Sequence, residues 1–302
     1  MLDVGADPLE CNNGAFTAMA LAIVHRHITI LHLFLKRGIP IPVCASRHSR
    51  SDLLAEAASN GHVAVVQLIL AQAQPSSSDI AYALTDAAEK DHLTVVDALV
   101  EALREKRRHG GSENDGWTKP LAKALCLAAA GGHTEVVKYF VQLGVSPKTT
   151  DYEWDSPSNA AATNGHLDVL RYLLAHGGNV YYVQEWTHNH FRKAIEKDQI
   201  AAVKLMLEYV DPEHFTSISD KEQSILLYAA VVCESEPLVE RLLESGASGS
   251  FCVKINLDDG YYCPILCGSP ELAARTGNEN IVTCFTAERH GRGNWLQFSK
   301  QP

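Results

Sequence analysis

The sequence contains none of the short motifs that mark nucleotide-binding, serine-hydrolase or metalloprotease sites. It has no G-x-G-x-x-G, no G-x-x-x-x-G-K-[ST], no G-x-S-x-G and no H-E-x-x-H. Its eight cysteines are irregularly spaced and include no C-x₂-C pair. They therefore favour a reducing compartment over a disulfide framework, and they provide no zinc-type ligand set. We expect neither a cofactor nor a metal.

The sequence also lacks positive charge and a long apolar run. The formal net charge is −10, which argues against nucleic acid as a partner. The most apolar segment, 15–35, is interrupted by His25, Arg26 and His27, so no membrane span is expected. The first residues show no basic segment followed by an apolar one, which argues against a signal peptide. A cytoplasmic or nuclear protein is expected.

One pattern recurs along the chain at intervals of 30 to 41 residues. Each copy has a helix rich in small residues, a short turn ending in histidine, and a second helix with a V-V/L-x-x-L/F core. The turn histidines of the five clearest copies are His27, His62, His92, His133 and His166. Weaker copies place Gln199 and Asn278 at that position, and a further copy over 224–247 alters the turn. Residues 2–8 look like the tail of another repeat.

A helix–turn–helix unit with a period near 33 resembles the ankyrin repeat. The segment AAATNGHLDVLRYLLAHG, 160–177, is a close match, although no copy keeps the family's T-P-L-H tetrapeptide. The resemblance implies an all-α ankyrin-repeat solenoid of about eight repeats, forming a single domain over 1–302. Residues 1–14 would be a partial repeat or N-terminal cap, 105–119 a loop insertion, 248–267 a hairpin-like insertion and 291–302 a C-terminal tail.

Three residue classes in the repeat have a structural interpretation. Paired alanines, such as Ala128 and Ala129, would let the first helices lie close together, while valines and Phe140 would fill the space between helix layers. The turn glycines Gly61, Gly132 and Gly165 would relieve backbone strain where the chain reverses. The turn histidine is interpreted as a side-chain cap that bonds the loop backbone. The basic run 104–108 is interpreted as a solvated helix end, favoured there by the macrodipole; a nuclear signal or an anion site is the alternative.

Three tryptophans recur at nearly equal spacing in the linkers between repeats. Trp154 follows Trp117 by 37 residues, and Trp186 follows Trp154 by 32. The ankyrin resemblance assigns such positions to finger-like β-turn loops that lie side by side. It implies that a set of aromatic residues gathers on one wall of a concave groove, namely Tyr152, Trp154, Tyr181, Tyr182 and Trp186, with Trp117, Tyr261 and Tyr262 beside them. The rings could equally be structural wedges between the fingers.

Carboxylates accompany these rings, including Asp155 and Glu185. Aromatic faces combined with carboxylates suit a cationic partner, and Tyr and Trp dominate the hot spots of protein interfaces. The sequence therefore predicts a protein-binding scaffold whose partner is a protein or peptide with a basic or apolar surface. A small molecule in the same groove is the alternative ligand.

Two further interpretations remain open. His188 and His190, with Glu185, Arg192, Asp155 and Asn159 nearby, could move protons in a cofactor-free isomerase, cyclase or lyase. That is the enzymatic alternative to protein binding. The apolar segment 16–24 could instead pair with a second copy and make the chain an oligomer.

Overall fold

A computed structural model describes residues 18–39, 53–110, 118–149, 156–178, 190–210, 220–247 and 273–289 apart from 275. Within these ranges the chain is helical, with no β-strand, and the all-α fold class is confirmed. Seven helix–turn–helix units are described in full, and an eighth is described at residues 273, 274 and 276 of its first helix and throughout its second. None of the described helices is long and apolar enough to cross a membrane.

The first helices of the units are α1 (Ala18–Val24), α3 (Leu53–Ser59), α5 (Ser77–Glu89), α7 (Thr118–Gly131), α9 (Pro157–Thr163), α11 (His190–Glu196) and α13 (Asp220–Val232). The second helices are α2 (Ile28–Lys36), α4 (Val63–Ala73), α6 (Leu93–Gly110), α8 (Thr134–Gln142), α10 (Leu167–Ala175), α12 (Ile200–Glu208), α14 (Glu236–Glu244) and α15 (Glu279–Arg289). The chain divides into two compact units, one comprising 1–160 with 176–178 and the other comprising 161–175 with 179–302.

The core of the first unit follows the repeat pattern. Paired alanines on α3, α5 and α7 are fully buried, and there the first helices pack closely on one another. Val136, Val137 and Phe140 on α8 are buried as expected, whereas Leu68 on α4 is only partly buried. Small side chains in one layer and large ones in the other let the helices interdigitate at the density of a protein interior.

Every repeat reverses through a residue with left-handed backbone. Gly61, Gly132 and Gly165 have φ of +70°, +76° and +75°, so the expected role of these glycines is confirmed. The residue that precedes the histidine position also has positive φ where it is not glycine, namely at Arg26, Asp91, Asp198 and Glu234. The turn at Glu234 shows that the copy over 224–247, whose turn looks altered in sequence, keeps the same backbone path.

The first insertion is shorter than the sequence predicts. Helix α6 continues to Gly110 and α7 begins at Thr118, so 105–110 and 118–119 are helical rather than loop. Glu, Lys and Arg are good helix formers, and their propensity outweighed the charge and glycine content that indicated a loop. The basic run Arg104–Arg108 does lie at the end of a helix, as expected. The segments 1–14, 248–267 and 291–302 lie outside the described residues.

Candidate functional site

The histidine of each of two turns in the first unit bonds to the preceding repeat. His92 Nε2 donates to the carbonyl oxygen of Ser59 at 3.0 Å, and His133 Nε2 donates to that of Glu89 at 2.7 Å. Ser59 and Glu89 are the last residues of α3 and α5, where helix carbonyls lack intrahelical partners. Since a carbonyl can only accept, the proton is on Nε2 in both rings.

This geometry corrects the expected capping role. His62 and His133 occupy the N-cap positions of α4 and α8, but neither side chain makes a cap hydrogen bond to its own helix. The rings of His92 and His133 instead join neighbouring repeats. In the second unit Gln199 replaces the histidine, and its Nε2 donates to the Lys197 carbonyl of its own repeat at 3.0 Å. The bonds from the His92 and His133 rings therefore join neighbouring repeats and stabilise the array.

Most of the residues predicted to bind a ligand lie outside the described residues. These are Trp117, Tyr152, Trp154, Asp155, Tyr181, Tyr182, Glu185, Trp186, His188, Tyr261 and Tyr262. His190 and Arg192 belong to α11, but their side chains also lie outside the described part. Asn159 is fully buried in α9, and its backbone N–H donates to Ser156 Oγ at 3.1 Å. Asn159 therefore has no exposed surface to present to a substrate.

The surface of the first helices in the first unit carries polar and aromatic groups that the sequence analysis missed. We call five of these residues the inner-helix patch: Glu56 on α3, Tyr82 and Asp86 on α5, and Lys119 and Lys123 on α7. Tyr82 and Lys123 each lie ten residues before the turn histidine, and Glu56 and Asp86 each lie six before it. Because the first helices pack side by side in register, residues at the same position become neighbours.

Tyr82 is the most exposed large hydrophobic side chain among the described residues. It is 65% exposed, although it lies on a helix whose neighbouring Ala83 and Leu84 are fully buried. Asp86 follows it by four residues, so both side chains are on the same helix face. Exposed Tyr side chains provide a rigid apolar face with a hydroxyl, which is the kind of surface that protein interfaces bury.

Asp86 is a partly buried carboxylate that no described side chain engages by a hydrogen bond. Burial raises the pKa of Asp86 above its ordinary value, and the negative charge of Glu89 adds to the rise. Lys123 and Lys90 oppose it, and Glu56 contributes a smaller increase. A partly desolvated carboxylate of this kind favours a ligand that brings an N–H donor or a positive charge. In the sequence, this site is indicated by a single tyrosine, Tyr82, at a position that holds polar residues in the neighbouring repeats.

The inner-helix patch carries charges of both signs. Glu56 and Asp86 on α3 and α5 are acidic, whereas Lys119 and Lys123 on α7 are basic. Within this patch, the side that suits a cation is therefore the α3–α5 side. Within the described ranges no group of three or more His, Cys, Asp or Glu side chains could hold a metal ion.

The N-terminal repeat exposes part of its apolar surface. Leu21 on α1 is 38% exposed, and Ile30 and Leu33 on α2 are 39% and 43% exposed. Met19, Ile23 and Leu31 are buried on the opposite side of the same helices. Of these exposed side chains, Leu21 belongs to the segment 16–24 that the sequence suggests for pairing with a second copy, and that pairing stays a prediction.

Comparison with known proteins agrees with the repeat architecture. The family model described as ankyrin repeats (3 copies) matches residues 54–151 and 84–184. The chain is 25% identical over 294 residues to the ankyrin repeat and KH domain-containing protein mask-1 of Caenorhabditis elegans, a match that covers 91% of this chain and 10% of that protein. It is 28% identical over 180 residues to the ankyrin repeat and KH domain-containing protein CBG24701 of Caenorhabditis briggsae, covering 56% of this chain and 6% of that protein.

A third relative is the L-asparaginase of Dirofilaria immitis, 31% identical over 72 residues, which are 24% of this chain and 12% of that protein. The chain thus spans about a tenth of the length of the first curated relatives it matches. Ankyrin repeats generally mediate protein–protein interaction. A helix–turn–helix unit recurs from residue 18 to residue 289 of this chain. The family model matches the centre of the chain, and the match to mask-1 covers 91% of the chain. The chain therefore belongs to the ankyrin-repeat family.

Proposed function

We propose that this chain is a protein-binding module that recognises a segment carrying a basic side chain, and that the segment contacts the inner-helix patch. The observation that carries the proposal is Tyr82, which is 65% exposed one helical turn before the partly buried Asp86. A Lys or Arg side chain over the Tyr82 ring would gain a cation–π contact while its charged end pairs with Asp86. Burial of the ring would supply apolar contact area as well.

The mixed charge of the patch sets the orientation of the partner. A basic residue is attracted to the α3–α5 side, where Glu56 and Asp86 lie, and repelled by Lys119 and Lys123 on α7. The proposed segment therefore has its positive charge at one end and an acidic or apolar residue at the other. Such opposite-sign matching gives specificity through repulsion of wrong partners more than it gives affinity.

The aromatic fingers extend this proposal beyond the described residues. Trp154 and Trp186 are proposed to contact the same partner. Trp154→Ala and Trp186→Ala should leave thermal stability nearly unchanged and abolish binding. If both substitutions unfold the protein instead, the rings are structural wedges and the fingers are not part of the binding surface.

The proposed binding of a basic segment is tested by selecting peptides that bind the wild-type chain from a random peptide library. The enriched peptides should be rich in Lys or Arg, and their affinity should fall at least tenfold with Tyr82→Ala and measurably with Asp86→Asn, since buried aromatic anchors are common hot spots. Tyr209→Ala is the matched control, because Tyr209 is 39% exposed at the end of α12. Enrichment of peptides without basic residues, or binding that is indifferent to Tyr82→Ala, would contradict the proposal.

A further inference from the structure

The hydrogen bonds of two turn histidines fix the register of three consecutive first helices. His92 bonds to Ser59 and His133 bonds to Glu89, and each acceptor lies three residues before the turn histidine of its own repeat. Helix α3 packs on α5, and α5 packs on α7. Because the offset is the same at both junctions, equivalent positions of these three helices lie side by side.

Three equivalent residues form a row across these helices, which we call the cross-helix row. Glu56 on α3, Asp86 on α5 and Leu127 on α7 each lie six residues before the turn histidine, and each is partly buried. Burial raises the pKa of Asp86 most, Lys123 opposes the rise and Glu56 adds to it, so both charges act on this carboxyl. Glu56 Oε1 accepts from Asn60 Nδ2 at 3.0 Å, which leaves Oε2 for a partner. The row therefore presents two carboxylates followed by one apolar side chain.

The spacing of the row matches the repeat of a polyproline II segment. The axes of packed helices lie about 8–10 Å apart. A polyproline II segment rises about 3.1 Å per residue with three residues per turn, so every third side chain points the same way, about 9 Å further along. The side chains on one face of a β-strand recur about every 6.6 Å, which fits less well. A polyproline II segment can therefore place one side chain on each of the three helices in turn.

Tyr82 favours this extended conformation over a helical partner. A helix could also span the row, because its residues seven positions apart are separated by about 10.5 Å. The carbonyls of a helix are bonded within it, however, whereas a polyproline II segment leaves its carbonyls free. Tyr82 lies one helical turn before Asp86 and is largely exposed, and its hydroxyl makes no hydrogen bond to another residue that the structure describes. That hydroxyl can donate to a free carbonyl, and aromatic rings line the grooves that bind such segments.

We propose that the partner is a polyproline II segment with the pattern basic-x-x-basic-x-x-apolar, read in either chain direction, that lies across α3, α5 and α7. This inference rests on the proposed binding of a basic segment and specifies its conformation and spacing. The two basic residues pair with Glu56 and Asp86, and the apolar residue covers Leu127. Lys123 is exposed one turn before Leu127 and repels a basic residue at the third position. Because the segment is ordered before it binds, it loses little entropy on binding.

Fluorescently labelled peptides test the spacing, with binding to the full chain followed by fluorescence polarisation. The probes are KPPKPPL and its reverse LPPKPPK, the peptide KPKPLPP, which has the same composition at shifted spacing, and KAAAAAAKAAAAAAL, whose alanines favour a helix. Either KPPKPPL or LPPKPPK should bind about tenfold more tightly than the shifted and the alanine peptides, because only the spacing of three residues lets all three side chains reach their helices.

Charge reversal tests which peptide residue lies on α5. Asp86→Lys should weaken binding of the tighter peptide about tenfold, and replacing the middle lysine of that peptide by glutamate should restore binding to this variant. Asp168→Lys is the matched control, because Asp168 is exposed on α10, and it should leave peptide affinity unchanged. Circular dichroism checks the helix content of each variant. If Asp86→Lys unfolds the chain, Asp86→Asn replaces it and should weaken binding severalfold.

The outcomes separate this inference from the proposed function. Equal binding of the spaced and shifted peptides, weakened in both by Asp86→Lys, overturns the polyproline II conformation and leaves the binding of a basic segment standing. Tighter binding of the alanine peptide overturns it in favour of a helical partner. Binding of basic peptides selected from the library but of none of the designed peptides also overturns it. If neither the designed nor any selected basic peptide binds, the proposed function fails as well.

Discussion

Gly61 makes room for the imidazole ring of His92, which belongs to the next repeat. A Cβ atom at position 61 would lie 2.7 Å from Nδ1 and 2.8 Å from Cε1 of His92. The same ring donates from Nε2 to the Ser59 carbonyl, so the glycine and the carbonyl acceptor are two residues apart on the same turn. The glycine before the turn histidine thus serves two purposes: it adopts positive φ, and it admits the histidine of its neighbour.

Gly61→Ala should therefore lower the free energy of unfolding by more than the strain of the left-handed backbone alone. The left-handed backbone costs roughly 1–2 kcal/mol for alanine, and displacement of His92 from Ser59 adds about 1 kcal/mol for the lost hydrogen bond. Gly144→Ala is the matched control, because Gly144 has φ of +94° and a Cβ atom at that position would meet no obstructing atom within 4 Å. Urea unfolding should show the larger loss for Gly61→Ala, and equal losses would mean that the ring shifts without cost.

A double-mutant cycle isolates the contact between the two residues. His92→Ala removes both the ring and its hydrogen bond, which should lower the free energy of unfolding by about 1–2 kcal/mol. In that background Gly61→Ala should cost only the strain of positive φ, so the two effects should be less than additive. Strict additivity within about 0.3 kcal/mol would show that Gly61 and His92 do not interact.

The four repeats without glycine at this turn offer a stabilising change. Glu234 has φ of +55°, and glycine would relieve roughly 1–2 kcal/mol of strain at a cost of roughly 0.5–1 kcal/mol in backbone entropy. Glu234→Gly should therefore raise the free energy of unfolding by about 0.5 kcal/mol. Lys204→Gly, in the exposed middle of α12, should lower it by about 1 kcal/mol. Thermal unfolding should show a gain in stability for Glu234→Gly and a loss for Lys204→Gly. Destabilisation by Glu234→Gly would contradict the prediction.

Tyr139 predicts a loss of stability at alkaline pH. Burial raises the pKa of Tyr139 above its ordinary value of 10.0, and the hydrogen bond to Asp97 raises it further. Above that ordinary value the unfolded chain has lost the phenolic proton while the folded chain keeps it. The contribution to stability is therefore complete below about pH 10 and falls as pH rises further.

Tyr139→Phe should cost about 0.5 kcal/mol at neutral pH, since the hydrogen bond to Asp97 is exposed to solvent. It should also make the decline of stability above about pH 10 less steep. Tyr82→Phe provides the comparison for the loss at neutral pH, because Tyr82 is 65% exposed, and it should leave the free energy of unfolding at that pH unchanged. Urea unfolding between about pH 8 and pH 11 measures both, and parallel pH profiles for wild type and Tyr139→Phe would contradict the prediction.

The sequence predicted the repeat fold well because its signals are local and repeated. Alanine pairs, a turn glycine and a valine pair recur at fixed spacing, and tertiary packing in an array follows from contacts between adjacent repeats. The partner of the turn histidine was missed because Ser59 is 33 residues from His92. Only the register of two repeats brings them together, and the family resemblance alone did not specify it.

The site was harder to predict than the fold. The strongest signal came from the aromatic linkers, whose residues Trp117, Trp154 and Trp186 lie outside the described part of the chain, so the groove stays a prediction. Tyr82 gave a weaker signal, because one tyrosine in an alanine-rich helix is typical of a core position. Its exposure depends on the helix face it occupies, and only a comparison of position 82 with position 123 of the next repeat indicates a surface site.

The Asp86 carboxylate affects both the stability of the fold and the proposed binding of a basic partner. Because burial raises the pKa of its carboxyl above the ordinary value of 3.8, the folded chain holds the proton more tightly than the unfolded chain. Stability therefore falls as pH rises from about 3.8 through the folded pKa, and the penalty persists above that pKa. Asp86→Asn removes the charge and should raise the free energy of unfolding at neutral pH, by less than about 1 kcal/mol for a half-buried site.

The same substitution should weaken binding of a basic peptide, so stability and binding should move in opposite directions. That combination is expected of a residue kept for function at a cost in stability. Asp168→Asn is the control: Asp168 is exposed in the first turn of α10, where its charge favours the helix dipole, so its loss should lower stability slightly and leave binding unchanged. If Asp86→Asn lowers stability at neutral pH, the carboxylate has a structural partner, and its proposed role in ligand binding is contradicted.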